Sequence, residues 1–250
     1  MQTLPRRLYS ALRSVPGFTI RPESDFWSES YQRHNQRRLE HLASLGLALI
    51  DRSVLEVGAG IGDHTSFYLD RGCTVTVTDG RPANLTILRR RFPELRTGLL
   101  DLDKPVLTPI VDGSFEIVHC YGTLYHLSQP ESALTFLDDR CSDMLVLETC
   151  VSPGEEDDVN LIEERRYSPS QAVSGRGCRP TRTWVFRRLK TLFPYVYLPR
   201  TQPAHEEFPL DWEGDLRTEG LKRAVFIASR NRLDNPILVE ELPRLQSLLL

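Results

Sequence analysis

Residues 53–65, SVLEVGAGIGDHT, place Gly58, Gly60 and Gly62 directly behind a short apolar run. The run reads as a strand and the following GDHTSFYLDRG as a helix, so the glycines form the turn between them. Glycine at such a turn lets the backbone approach a ligand without a Cβ clash. The pattern is GxGxG, with Asp63 where a dinucleotide-binding fingerprint carries its third glycine. That departure counts against a dinucleotide, and the absence of a following GK[ST] excludes a phosphate loop.

Outward from the loop, short apolar runs alternate with helical patterns. CTVTVTD, RTGLLDLD, SFEIVHCYG and MLVLETCV read as strands, while PANLTILRRRFPE and PESALTFLDDRC read as helices. This order implies an α/β fold, doubly wound around a mostly parallel sheet with helices on both faces. Seven strands are expected, with YVYLP and KRAVFIASR as an antiparallel edge hairpin. Residues 28–49, SESYQRHNQRRLEHLASLGLAL, read as an amphipathic helix capped by Ser28 or Ser30. It belongs to an N-terminal segment, 1–49, expected to pack over the ligand site; Pro5, Pro16 and Pro22 keep residues 1–27 irregular. The main domain spans 50–230. Within it SPGEEDDVNLIEERRYSPSQAVSGRG lacks a clean period, and 152–182 is expected to form a lid. A helix resumes at PTRTWVFRRLKTLF, with Pro180 suited to its first turn. The leucine-rich tail, 231–250, is expected to pack a short helix.

Composition bounds the function. The 250 residues are 40% hydrophobic and 26% charged, with a formal net charge of -3. That balance suits one large globular domain and gives no electrostatic reason to expect a general nucleic-acid binder. The longest apolar stretches are strand-sized, so no membrane span is expected, and the N-terminus has no apolar core of signal-peptide length. Five scattered cysteines without a CxxC pair suggest free thiols, a cytoplasmic location and no metal site. The acidic run GEEDDVN lacks a histidine partner or calcium-loop spacing and reads as a solvated loop.

Two carboxylates narrow the ligand. Asp79 closes the second strand about 20 residues after Gly58, where a carboxylate accepts hydrogen bonds from ribose hydroxyls. Glu56 ends the first strand, where it would oppose a pyrophosphate and favour a cation. S-adenosylmethionine carries a sulfonium, an ammonium and a ribose but no phosphate, so the loop reads as the seat of that cofactor. VLEVGAGIGDHT, VTVTDGRPANLTILRRRFPE, LLDLD and IVHCYGTLYHL, taken in order, resemble the class I (Rossmann-like) S-adenosylmethionine-dependent methyltransferases over roughly residues 50–150. The resemblance implies that Glu56, Gly58, Ala59, Gly60 and Gly62 hold the methionine and ribose side. By the same resemblance Asp79 and Gly80 hold the ribose, Asp101 and Leu102 bracket the adenine, and Cys120 and Tyr121 face the transferred methyl. YGTLYHL also resembles methyltransferases with a His after the fourth strand, including the group that modifies wobble uridine in transfer RNA.

The acceptor is less well marked. His126 follows the fourth strand at the ligand edge of the sheet, where a base for a hydroxyl acceptor belongs; a structural loop role competes with it. Tyr121 is the second catalytic candidate. Arg179 and Arg182, among glycines at the expected mouth of a helix, suit an anionic substrate, whereas Arg187, Arg188 and Lys190 read as a solvated face. Tyr31, His34, Asn35 and Arg38 fall within about two helical turns of one another, and Tyr31 is a candidate substrate contact. The leading expectation is a methyltransferase that moves a methyl group from S-adenosylmethionine, leaving S-adenosylhomocysteine, to an oxygen or nitrogen of a small-molecule acceptor. An RNA-modifying methyltransferase and a non-catalytic cofactor-binding module are the alternatives.

Overall fold

The computed structural model describes residues 21–214 and 220–248. The expected irregularity around Pro5 and Pro16 lies outside them; Pro22 starts a short helix, α1 (Pro22–Phe26). The helix expected over 28–49 is α2 (Glu29–Ser44), preceded by Ser28 without a side-chain cap.

The chain then alternates as β1 (Ser53–Glu56), α3 (Thr65–Leu69), β2 (Thr74–Asp79), α4 (Pro82–Arg91), β3 (Arg96–Leu99) and β4 (Phe115–Tyr121). After β4 come a 3-10 turn (Leu124–His126), α5 (Pro130–Arg140) and β5 (Cys141–Val151). Pro opens both α4 and α5, where its missing N–H costs nothing. α5 buries Pro130, Ala133, Leu134 and Leu137, one stripe at helical spacing. α3 is shorter than the sequence pattern suggests: Gly72 adopts φ +74 just past its end and turns the chain into β2.

The main sheet runs β11-β8-β10-β5-β4-β1-β2-β3. β5, β4, β1, β2 and β3 pair in parallel; β8 (Tyr195–Pro199), β10 (Lys222–Ser229) and β11 (Leu238–Val239) complete the sheet antiparallel. The expected YVYLP–KRAVFIASR pairing is present, with Ile227 opposite Tyr197. Period-two alternation splits the core between two faces. Leu55 of β1 joins α5 and α6 (Arg182–Leu192) on one side, while Val54 joins α2, α3 and α4 on the other. The chain reverses between β1 and β4, so the carboxyl ends of those strands open the crevice that binds ligands in such sheets.

Within residues 152–182, β6 (Val159–Glu163) and β7 (Arg176–Pro180) form an antiparallel hairpin, with Asn160 opposite Arg179. Two expectations need correction. Pro180 ends that hairpin, and Thr181 caps α6 by accepting from the Trp184 N–H at 3.1 Å. The tail forms no helix among the described residues; Leu238–Val239 adds an eighth strand, and β12 (Ser247–Leu248) pairs with β9 (Thr201–Gln202).

Candidate active site

A crevice with about 810 Å³ of space unfilled by atoms lies over the carboxyl ends of β1, β2 and β4. Its floor is the glycine loop. Gly58 and Gly60 hold φ near +60, and a Cβ on Gly58 would collide with Thr123. A Cβ on Gly60 would meet the Phe26 ring at 2.8 Å. Side chains at either position would strain the turn and close the cradle.

Asp79 stands at the centre. Its Oδ2 accepts from the Gly60 N–H at 2.8 Å, and its Oδ1 from the Arg81 N–H at 2.7 Å and the Asn84 amide at 3.0 Å. Burial pushes its carboxyl up to about 6, against the pull of these donors. Oδ2 keeps a lone pair for one hydroxyl. Asn84 Oδ1 is buried and has no partner among the described residues, and Asn84 lines the crevice, so it offers a second acceptor. Asn84 was not visible as a site residue in the sequence. An Asn five residues past the strand-ending Asp, in the first turn of the next helix, is the signal that would have found it.

Glu56 borders a smaller adjoining pocket with Tyr31, Asn35, Gly58, Ala59 and Asp63. Its Oε2 accepts from Thr65 at 2.7 Å, and burial raises its carboxyl to about 8. Beside it runs a chain of rings: Tyr68 OH to His119 Nδ1 at 2.9 Å, His119 Nε2 to His64 Nδ1 at 3.1 Å, and His64 Nε2 to Asn35 Oδ1 at 3.1 Å. Asn35 Oδ1 can only accept, so each ring donates towards it, and Tyr68 donates at the far end. Burial holds both imidazoles well below their usual range, His119 at about 3, so this chain is neutral. Glu56, His64 and His119 are close enough to share a metal ion, as are His34, His205 and Glu207. The hydrogen-bond chain already gives the first two histidines partners.

The acceptor side is assembled from distant segments. Glu148 of β5, fully buried, accepts from Arg38 of α2 at 2.9 Å and from Arg223 of β10 at 3.0 Å. Burial opposes its charge, yet the two guanidinium groups hold the carboxyl below its usual value. Arg223 also donates to the Tyr125 hydroxyl at 3.1 Å. Arg38, Arg223, Tyr125 and His126 all line the crevice, as does Tyr121, whose buried hydroxyl has no partner among the described residues. Burial raises the Tyr121 phenol further, so it stays protonated. His126 Nδ1 lies 2.5 Å from Glu164 Oε2, and burial lowers the imidazole pKa below its usual value.

The crevice thus brings together Tyr31, Gly58, Gly60, Asp79, Gly80, Asp101, Leu102, Tyr121 and His126, while Glu56 and Ala59 border its smaller neighbour. Other expected residues lie elsewhere. Cys120 points into the core beneath the sheet, its thiol raised by burial to about 12. Gly62 (φ +83) serves the turn, where a Cβ would meet Phe92. Arg179 lies in β7 and donates to the Tyr125 carbonyl at 3.1 Å, behind the crevice wall. Arg182 turns away, stacking on Trp212 at 3.8 Å and donating to the Pro243 carbonyl. Arg38, Glu148, Arg223 and Glu164 join the site; of these the sequence marked only Arg38 for attention.

The positive-φ cradle, the open lone pairs at Asp79 and Asn84, and the carboxyl of Glu56 fit S-adenosylmethionine. Comparison with known proteins agrees. A methyltransferase-domain family model matches residues 54–139. A tRNA U34 carboxymethyltransferase from Shewanella sediminis is 34% identical, covering 88% of this chain and 70% of its own. One from Actinobacillus succinogenes is 35% identical over 55% of this chain, which spans only 43% of that relative. The N-terminal domain of EvdMO1 with S-adenosylhomocysteine bound superposes with a TM-score of 0.60 at 19% identity, covering 90% of this chain and 97% of that one. A Burkholderia thailandensis 1,6-didemethyltoxoflavin-N1-methyltransferase shares the fold at TM-score 0.53 and 17% identity, covering 93% of each. The fold and cofactor site define an S-adenosylmethionine-dependent methyltransferase of class I. Within that class the chain belongs to the family that contains the Shewanella sediminis tRNA U34 carboxymethyltransferase.

Proposed function

We propose that this enzyme alkylates a hydroxyl on a transfer-RNA base, with His126 taking the hydroxyl proton. The observation that carries the acceptor class is the surface beside the crevice. Trp27 is 57% exposed and Tyr167 70% exposed. Asp25 draws their segments together by accepting from Ser168 at 2.7 Å and Ser170 at 3.0 Å. Arg165 and Arg166, both exposed, precede Tyr167. Exposed aromatic faces stack unpaired bases, and arginines meet the phosphates between them. The activity named for the relatives supports the same class.

When bound, the donor would supply a sulfonium-activated carbon. The glycine loop, Asp79 and Asn84 would hold its ribose side, and Glu56 would oppose its positive charge. His126 Nε2 would take the hydroxyl proton of the acceptor as the acceptor oxygen displaces the thioether. Alignment of the three reacting atoms supplies much of the acceleration.

Arg38 and Arg223 share Glu148, and Arg223 also pairs with Glu207, so the charges of the cluster balance while both guanidinium groups line the crevice. Arg38 Nε is buried without a partner among the described residues, and such a donor suits a transferred carbon bearing a carboxylate, in keeping with the carboxymethyl group named for the relatives. A small-molecule acceptor is the second reading, supported by the Pro169–Val173 segment covering the crevice.

The test supplies radiolabelled donor, with and without a carboxylate on the transferable carbon, to unfractionated bacterial tRNA. Label in one digested nucleoside, and transfer that weakens steeply between 50 and 200 mM salt, are expected. Transfer to small hydroxylated metabolites with none to tRNA would overturn the RNA reading.

A further inference from the structure

We infer that Glu164 is the positioning residue for His126, and that it completes the base only while residues 165–173 are docked over the crevice. This rests on the reading of His126 as the base. It names what orients that base and when.

Glu164 sits where β6 leads into the segment above the crevice, and its side chain is only 2% exposed. Oε2 takes the His126 Nδ1 contact at 2.5 Å and the Ala172 N–H at 2.8 Å. Oε1 accepts from Arg179 at 3.4 Å. Burial opposes the Glu164 charge, but the His126 hydrogen bond, the Ala172 N–H and Arg179 together hold the carboxyl below its usual value. For His126, burial together with the facing charges of Arg179 and Arg223 outweighs the pull of Glu164, so the ring is neutral. A neutral ring beside an ionised carboxylate carries its proton on Nδ1, which leaves the Nε2 lone pair for the acceptor. This is the orienting role a carboxylate plays towards a catalytic histidine.

Room for the carboxylate is made by a glycine. A Cβ on Gly177 of β7 would stand 2.6 Å from Glu164 Oε1 and 2.5 Å from the Tyr125 carbonyl. Any side chain at 177 would displace Glu164 from beneath His126.

The same segment is tied to the donor pocket. Arg81, whose N–H binds Asp79, donates through Nη2 to the carbonyls of Arg166, Gln171 and Ala172 at 2.8–3.0 Å. Asn84 donates to the Pro169 carbonyl at 3.2 Å, and Asp25 holds Ser168 and Ser170. Docking these residues over the donor therefore sets the Ala172 N–H on the carboxylate that orients the base. Covering the donor and readying the base become one event, which limits loss of the activated group to water.

Nitrogen-15 spectra of histidine-labelled protein saturated with S-adenosylhomocysteine test this without an acceptor, with His126 assigned from His126→Gln. Wild type should show the neutral Nδ1–H tautomer. Glu164→Gln should lower the His126 pKa by about one unit or more, and Gly177→Ala should scramble the tautomer with every charge kept. Ser168→Ala and Ser170→Ala combined with Arg81→Gln, which removes the ties of the segment to both Asp25 and Arg81, should scramble it as well. Single-turnover transfer to bacterial tRNA should fall about 10²-fold in Glu164→Gln, with calorimetry showing unchanged S-adenosylhomocysteine affinity. Glu164→Asp should recover part of the rate. A wild-type tautomer and pKa in both Glu164→Gln and Gly177→Ala would overturn the positioning role. A wild-type tautomer in that triple variant would overturn its dependence on docking. If His126→Gln transfers at the wild-type rate, the base reading fails instead, and the spectra still report whether Glu164 orients the ring.

Discussion

The donor half of the crevice and its acceptor half are made in different ways. In the donor half, Glu56 and Asp79 close β1 and β2 and Asp101 lies two residues past β3, three strands taken in chain order. In the acceptor half, Glu148 meets Arg38 across 110 residues of chain, and Arg223 meets Tyr125 across 98. Local construction leaves a readable trace in the sequence. Long-range construction leaves charged residues inside strands, whose partners are fixed only when the sheet is complete. The acceptor half should therefore depend on its ion pairs for folding, and the donor half on its carboxylates mainly for binding.

The harshest test of that contrast is Glu148→Gln. It leaves Arg38 and Arg223 buried without their shared carboxylate, and breaking a buried pair from one side costs about 3–5 kcal/mol. Urea unfolding should show that loss as a lower midpoint with little change in slope. Because the Glu148 carboxyl is held below its usual value, its contribution is complete at neutral pH and is lost as pH falls through that lowered value. A midpoint within error of wild type would mean that the cluster contributes nothing to the fold.

His126→Gln comes next and concerns rate rather than stability. Transfer should drop about 10²–10⁴-fold. In wild type the rate should fall as acid protonates the ring, with a midpoint below the ordinary histidine value of 6.5 because burial lowers it. Alignment alone would give a small loss and a flat profile, and single-turnover measurements across pH separate the two.

In the donor half, Asp79→Ala should weaken S-adenosylhomocysteine binding by about 1.5–3 kcal/mol, the range for hydrogen bonds to a charged group. Its raised value near 6 gives the pH dependence a sign. Protonated Asp79 is the form favoured in the ligand-free fold, so its stabilising effect is complete below the ordinary value of 3.8 and fades as pH rises through about 6. Ribose hydroxyls favour the carboxylate, so affinity should improve between pH 5 and 7, and Asp79→Asn should flatten that slope. Glu56 adds a smaller effect. With its carboxyl near 8, it is mostly protonated at pH 7, and a cationic ligand should release about one proton. Calorimetry in buffers of different ionisation heat measures the release, and none in wild type would remove Glu56 from the cation's surroundings.

These effects divide along the line where the sequence was legible. SVLEVGAGIGDHT and CTVTVTD gave the loop, Glu56 and Asp79, because glycines and strand-end carboxylates carry their meaning locally. MLVLETCV and KRAVFIASR were readable only as strands. Glu148 and Arg223 are the charged residues that should have been conspicuous there, since an apolar run does not bury a charge without a partner. Cys150, beside Glu148 in the sequence, lies opposite Arg223 in the sheet. The β6–β7 hairpin escaped because β6 is largely exposed, while β7 buries a glycine, a cysteine and a proline rather than an alternating apolar set, so neither strand shows a period. The tail's leucines suggested a helix, but the open edge of β8 paired with Leu238–Val239 instead.

The smallest expected effect separates two arginines that the sequence treated as equals. Arg179 reaches the Tyr125 carbonyl and Glu164, so Arg179→Gln should slow transfer through the base while sparing the donor. Arg182 has no part in the crevice. Burial lowers its guanidinium to about 10, its Nη1 has no partner among the described residues, and it ties α6 to Trp212 by stacking and to the Pro243 carbonyl by a hydrogen bond. Arg182→Gln should therefore cost roughly 0.5–2 kcal/mol of stability, the range for a cation on an aromatic face. Transfer rate and S-adenosylhomocysteine affinity should stay at wild-type values. Measured separately, the two variants should differ in kind, one kinetic and one thermodynamic. An Arg182→Gln enzyme that folds normally but loses acceptor binding would return Arg182 to the substrate, and would extend the acceptor half to the mouth of α6.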